Sequence, residues 1–269
     1  MAKTIGIIAI KGGVGKTTIS AALATDLANH YQKKVLLVDT NYSAPNLGLH
    51  MDILEPDKTI HHVLDKKVHA KSAVHEKFGV DVIPGEYVYN KNIPYLKLKD
   101  RLAPLKKDYD FIILDSSPSL NDEMLSTMLA SDALFVVTTP DYPTLSCTIK
   151  AAKLAKQRGK PIAGIIINKI RDPKYELTIR EIEDSVDIPV IARIPDDKHA
   201  IRSLFSRIPL PLYKKSSPLS QEINRLNAAL TRNKEKKSFF QSLMPFDFRR
   251  ERVNRELLKE DFYSNTFKS

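Results

Sequence analysis

The residues best able to do chemistry stand near the start of the chain, in the run Lys11-Gly12-Gly13-Val14-Gly15-Lys16-Thr17-Thr18. A phosphate group needs several backbone N–H donors at close range, and glycines let the backbone come that near. Lys16 adds a point charge for the β and γ phosphates of a nucleotide, and Thr17 offers a hydroxyl to Mg²⁺. An apolar, strand-like run (residues 4–10) precedes the segment and a helical pattern (16–31) follows it. The loop thus opens onto a helix N-terminus, whose dipole favours anions. A glycine-rich turn with chance lysines would lack that context.

Two other strand ends carry candidate groups. The run Phe111-Ile112-Ile113-Leu114-Asp115 is an apolar strand closed by a carboxylate, the form of a segment that holds magnesium beside a nucleotide, although an aspartate in that place also serves as a simple cap. Asn168-Lys169-Ile170-Arg171 resembles a guanine-reading motif whose fourth residue is acidic. Arg171 cannot accept the paired donors of guanine, so adenine is the expected base. The alternative for Asn168 is a strand-end hydrogen bond to nearby backbone.

The phosphate loop departs from the usual eight-residue pattern, which begins with glycine: Ile10 holds that place, and a second lysine, Lys11, lies inside the loop. This form, KGGVGKTT, resembles the MinD/ParA family of dimerising ATPases, closest to its MinD-like branch, and the resemblance continues along residues 1–230. It implies that Lys11 reaches across a nucleotide-sandwich dimer to the partner's phosphates, the alternative being a lysine that faces solvent. Asp39 matches the first acidic residue of the family's first switch, which helps hold the magnesium water shell, and Asp115 matches the magnesium-shell aspartate of the second. Asn41 stands where the family usually has an aspartate that positions the attacking water. An amide can orient water but cannot take up its proton, so slow hydrolysis is expected. The resemblance places adenine near Asn168 and near the turn Pro195-Asp196-Asp197. Iron–sulfur relatives that share the loop need cysteine pairs, and this chain has one cysteine, Cys147.

The implied site therefore has Lys11, Lys16 and Asn41 in catalysis and Gly12, Gly13, Val14, Gly15, Lys16, Thr17 and Thr18 on the phosphates. Asn168, Pro195 and Asp196 would lie at the base, with Thr17, Asp39 and Asp115 at the metal. ATP and Mg²⁺ are the implied ligands, and ATP hydrolysis the implied reaction.

The elements that must position these residues follow from hydrophobic pattern. Runs at 4–10, 35–39, 80–83, 111–115, 133–139, 162–168 and 188–194 are apolar nearly throughout, as in strands buried on both faces. Helical spacing occupies 16–31, 95–106, 120–130, 144–158, 175–186, 197–206 and 216–231. The alternation predicts an α/β fold, a doubly wound, mostly parallel sheet with helices on both faces, as in P-loop NTPases, followed by an amphipathic C-terminal tail. The domain division expected is 1–231 for the ATPase and 232–269 for the tail.

Composition limits what the protein meets. Of 269 residues, 42% are hydrophobic and 28% charged, with a formal net charge of +10, which suits an anionic partner. The single cysteine excludes an internal disulfide framework and fits a reducing cytoplasm. No apolar run has membrane-spanning or secretory-signal length, so any membrane contact is expected from the side. Residues 231–269 hold 10 Lys and Arg against 6 Asp and Glu, and six of the ten phenylalanines. There Phe239 is four residues from Leu243 and Phe240 four from Met244, behind a basic turn, and a further run at 249–263 carries Val253, Leu257, Leu258 and Phe262. The first segment resembles the membrane-targeting helix of MinD-like proteins.

The expected protein is then an ATP-dependent homodimer, cytoplasmic and peripheral on the inner face of the cell membrane. It would attach to anionic lipid through its tail, position cell-division or other machinery, and answer to an activating protein partner. One alternative is a ParA-like partition ATPase that binds DNA, with Arg202, Arg207, Lys214 and Lys215 as phosphate contacts. Another is a nucleotide-switched interaction protein with little turnover.

Overall fold

Eight short segments, seven of them rich in β-branched residues, pair edge to edge in the computed structural model, which describes residues 1–89, 91–233 and 248–263. The strands are β1 (Lys3–Ile8), β2 (Val35–Thr40), β3 (His75–Lys77), β4 (Val80–Ile83), β5 (Phe111–Ser116), β6 (Ala133–Thr138), β7 (Ile162–Ile170) and β8 (Val190–Pro195). Their order is β3-β4-β2-β5-β1-β6-β7-β8, and every pairing is parallel except β3 with β4. After β1 the chain builds one half of the sheet and then returns to build the other. The reversal leaves a crevice above the C-terminal ends of the central strands, where doubly wound sheets bind ligands.

The helices are α1 (Lys16–Asn29), α2 (Leu47–His50), α3 (Ile60–Leu64), α4 (Leu98–Leu102), α5 (Asp122–Ala130), α6 (Tyr142–Gln157), α7 (Ile179–Val186), α8 (Lys198–Phe205), α9 (Leu210–Tyr213), α10 (Pro218–Leu230) and α11 (Phe248–Tyr263). One sheet face packs its Ile7, Leu37, Ile113 and Phe135 against α1, α10 and α11. The opposite face packs Leu36, Val38 and Ile112 under α3 and α4, and Leu134, Val136 and Ile165 under α5, α6 and α7. Burial on both faces is why the strands read as continuous apolar runs.

Two local expectations are corrected. The stretch 95–106, expected as one helix, is a 3-10 turn at Tyr95–Lys97, the short α4, and a second 3-10 turn at Ala103–Lys107. Pro104 lies within it, and a proline denies the helix a backbone donor. The edge strand β3 has the polar sequence His-Glu-Lys and gave no apolar signal.

The C-terminal helix α11 lies along β8, the last strand of the sheet. Leu258 and Phe262 are buried in the core shared with α1, and the Phe262 ring stacks on that of Phe111, with centroids 6.4 Å apart. Polar side chains bolt the helix down: Asn254 donates to the Val190 carbonyl (2.8 Å) and Arg255 to the Ile191 carbonyl (3.0 Å) and to Glu222 (2.9 Å). An edge strand with open carbonyls invites pairing with other chains, and a covering helix removes that hazard. Val253 and Leu257, grouped with Leu258 and Phe262 by sequence, face solvent. The Phe239–Met244 segment expected to meet the membrane falls within residues 234–247, outside the described residues.

Candidate functional site: a phosphate loop beside two buried carboxylates

The loop after β1 turns on two glycines in the left-handed region, Gly13 at φ 77° and Gly15 at φ 98°. A side chain on Gly15 would stand 2.4 Å from the Asn168 amide nitrogen, while the space over Gly13 is open. Gly15 caps α1 without any side-chain hydrogen bond, and the first turn of α1 holds no acidic residue. Its backbone donors are left for an external anion. Two side chains from the end of β7 fasten the loop from behind: Asn168 donates to the Val14 carbonyl and Lys169 to the Gly13 carbonyl, each at 2.7 Å.

Lys16 is buried, and burial holds its ammonium below the usual lysine range while Asp115 pulls the other way. The carboxylates stand side by side because β2 and β5 are parallel neighbours in a register that pairs Asp39 with Asp115. Both are fully buried. Burial pushes Asp115 up to about 6, against the pull of Thr17, Lys16 and Ser20. Burial and then the charge of Asp115 push Asp39 up to about 8, despite backbone hydrogen bonds from Asn41, Leu47 and Asn46. Ser20 donates to one oxygen of Asp115 at 2.9 Å, and the other oxygen is buried without a hydrogen-bond partner.

These features fit a nucleotide with Mg²⁺. The oxygens of Thr17, Asp39 and Asp115 are the hard donors that the ion takes, and a dication would relieve two crowded carboxylates, one with an unused oxygen. Asp39 accepts from Asn41 at one oxygen (3.0 Å) and from Asn46 (3.1 Å) and Leu47 (3.0 Å) at the other, so it is suited to hold a water shell. The Thr17 hydroxyl donates to Asn46 at 3.0 Å, a bond it would exchange for the metal.

Asn41 is buried beside Asp39, where its amide nitrogen donates to the Ala44 carbonyl and its amide oxygen has no hydrogen-bond partner. That oxygen is an acceptor still to be used, as orienting a water requires. Lys11 is half-exposed at the rim, 3.7 Å from Asp141, which also caps α6 through the Thr144 backbone. At the base end, Asn168 spends one amide hydrogen on the loop, and Asp196 joins Arg171 at 2.7 Å beside the exposed Pro195. Thr18 follows Thr17 in the first turn of α1.

Sequence reading missed Ser20, Lys169 and Asp141 as neighbours of the site. Ser20 lies one helical turn after Lys16, on the side facing β5, and Asp141 precedes a helix with proline in its first turn, a capping signal that could have been read.

Residues 2–158 match the family model described as an AAA domain. An uncharacterised ATP-binding protein of Methanocaldococcus jannaschii is 33% identical over 233 residues, covering 86% of this chain and 88% of its own length. Septum site-determining protein MinD from Pyrococcus horikoshii, solved with Mg-ADP, superposes with a TM-score of 0.80 at 29% identity, covering 84% of this chain and 95% of that one. A ParA family ATPase from Chlorobium tepidum gives a TM-score of 0.75 at 26% identity, covering 84% and 97%.

Proposed function

The chain belongs to the AAA domain family and, within it, to the MinD/ParA ATPases; from that membership we propose that it is an ATP-operated switch that dimerises on ATP, attaches reversibly to anionic membrane, and is released by hydrolysis. Members of the family hydrolyse ATP. The observation that carries the reading is the buried Lys16 and Asp115 pair under an uncapped helix N-terminus, a charge arrangement completed by a phosphate-bound metal.

In this reading the backbone N–H groups of Gly12, Gly13, Val14 and Gly15, with Thr18, hold the β-phosphate, and Lys16 meets the charge that develops toward the γ-phosphate. Mg²⁺, when bound, would supply positive charge to offset that of the phosphates. Thr17 and Asp115 would hold it, and Asp39 would hold its waters. Asn41 would turn its amide oxygen to the attacking water and orient it, the water's proton passing to an oxygen of the phosphate that it attacks. Asn168, Pro195 and Asp196 border the adenine. Lys11 must leave Asp141 to reach a partner's phosphates, so dimer formation exchanges one anion for another. The role in the cell would be to position division or other machinery, with an activating protein partner prompting hydrolysis.

The test is light scattering with a slowly hydrolysed ATP analogue and with ADP, followed by co-sedimentation with anionic liposomes and, in parallel, DNA. Dimers and liposome binding in the triphosphate state alone are expected. Binding to DNA and not to liposomes would replace this reading with the partition-ATPase alternative.

A further inference from the structure

We propose that the outward surface of α8 and α9 is a membrane-contact face that lies flat on an anionic bilayer, an inference that rests on the membrane-attached switch described above. The helix α8 holds to the body by few groups. Ala200 packs against the core, Ser203 donates to the Ile208 carbonyl, and the capping residue Asp197 accepts from the Leu219 backbone. The spacing then sends Ile201, Leu204 and Phe205 outward together, at i, i+3 and i+4. Ile201 is 76% exposed and Phe205 90%, and Leu212 and Tyr213 of α9 are exposed nearby. Scattered apolar side chains on a surface mean little, but a helix whose large apolar residues point away from its own core marks a contact site.

The charges around this face select the partner. Lys198, Arg202, Lys214 and Lys215 are exposed, as is Arg207, which pairs with Asp52 at 3.6 Å, and residues 198–221 contain no aspartate or glutamate. Apolar side chains set among cations are the pattern of a helix that rests in the headgroup layer, with its apolar groups in the acyl boundary and its cations at anionic lipids. A DNA backbone would use the cations and leave Ile201 and Phe205 against phosphate. A second copy meeting face to face would bring the same five cations together. No helix among the described residues is long and apolar enough to cross a membrane, so the contact is from the side. The face begins two residues beyond Asp196, next to the expected adenine border, which places it close to the nucleotide end of the sheet.

The experiment uses the full chain with the ATP analogue, co-sedimented with phosphatidylcholine vesicles with and without phosphatidylglycerol. Phe205→Glu changes a side chain that is almost wholly in water, so the fold is retained, and it should raise the lipid needed for half-maximal binding by about tenfold or more. Replacing Lys214 and Lys215 by alanine should cost about fivefold per charge at low salt, fading as salt rises. Tyr175→Glu, at an exposed aromatic elsewhere, should change nothing. Wild-type binding by Phe205→Glu would overturn the face while leaving the ATP switch standing, with attachment assigned to residues 232–269. Failure of the unaltered protein to bind any vesicle would overturn both. Loss of ATP-dependent dimers in Phe205→Glu would make the face a contact between copies, and loss of DNA binding in place of lipid binding would make it a nucleic-acid surface; each overturns the proposal.

Discussion

Phe262→Ala tests whether the end of the chain is part of the folded body. The side chain is 1% exposed, stacks on Phe111 and lies under the Lys3 ammonium, 5.5 Å from the ring centroid. Truncating a core phenylalanine to alanine costs about 3–5 kcal/mol through lost burial and the cavity left behind. Phe262 sits in the last turn of a terminal helix, which can settle into part of the void, so the lower end, about 3 kcal/mol, is expected. Against a total stability of about 5–15 kcal/mol this is a large fraction, and it should lower Tm by about 6–12 °C. The assay is urea unfolding followed by circular dichroism, with Leu257→Ala as the control. Leu257 is on the same helix and half-exposed, and its loss should cost no more than about 0.5 kcal/mol. Equal, small effects for both variants would show that the end of α11 does not pack into the core in solution, and its place in the folded body would have to be abandoned.

Other expectations follow from the site. Lys16→Ala should abolish or severely weaken ATP binding measured by calorimetry, and unchanged affinity would refute the phosphate assignment. Lys11→Ala should keep ATP binding but lose ATP-dependent dimers in light scattering; a dimer of unchanged stability would leave Lys11 with Asp141 alone. Asn41→Asp should raise the hydrolysis rate, because a carboxylate can both orient water and accept its proton. It also gives up the hydrogen bond to Ala44, so the nucleotide-free protein should lose about 1–2 kcal/mol of stability; a fall in rate would show that the amide is specifically fitted. His50 reports on pH, since burial lowers its pKa to about 4 from the ordinary 6.5. The folded state keeps it neutral, so its contribution is whole above about pH 6.5 and is lost as the pH falls toward 4, up to about 3 kcal/mol. His50→Gln should flatten the fall in Tm over that range, and an unchanged slope would exclude His50 as the source.

The phosphate loop was legible because its chemistry is contiguous: donors, glycines and the lysine follow one another, and the flanking strand and helix announce themselves by period. Seven of the strands were legible because each is buried on both faces. Strand β3 was not, being short, polar and antiparallel at the sheet edge, where packing asks little of its side chains. The same limit applied to residues 95–106, where apolar spacing suggested a helix and Pro104 divided it.

By itself the sequence determined the fold class, the phosphate loop and the identity of the groups available for catalysis, since those depend on local order and composition. Only the tertiary structure decided which groups meet. Asp115 touches Ser20 across 95 residues and Asn168 touches the loop across 154, contacts set by parallel pairing and crossover helices and not by any spacing along the chain. It likewise decided that Asp39 and Asp115 stand in register, so that two ordinary aspartates become a buried pair that resists ionisation. The last helix shows the same division: its apolar residues were visible in sequence, but only the exposed edge of β8 and the core beneath it determined that Leu258 and Phe262 turn inward while Val253 and Leu257 stay in water.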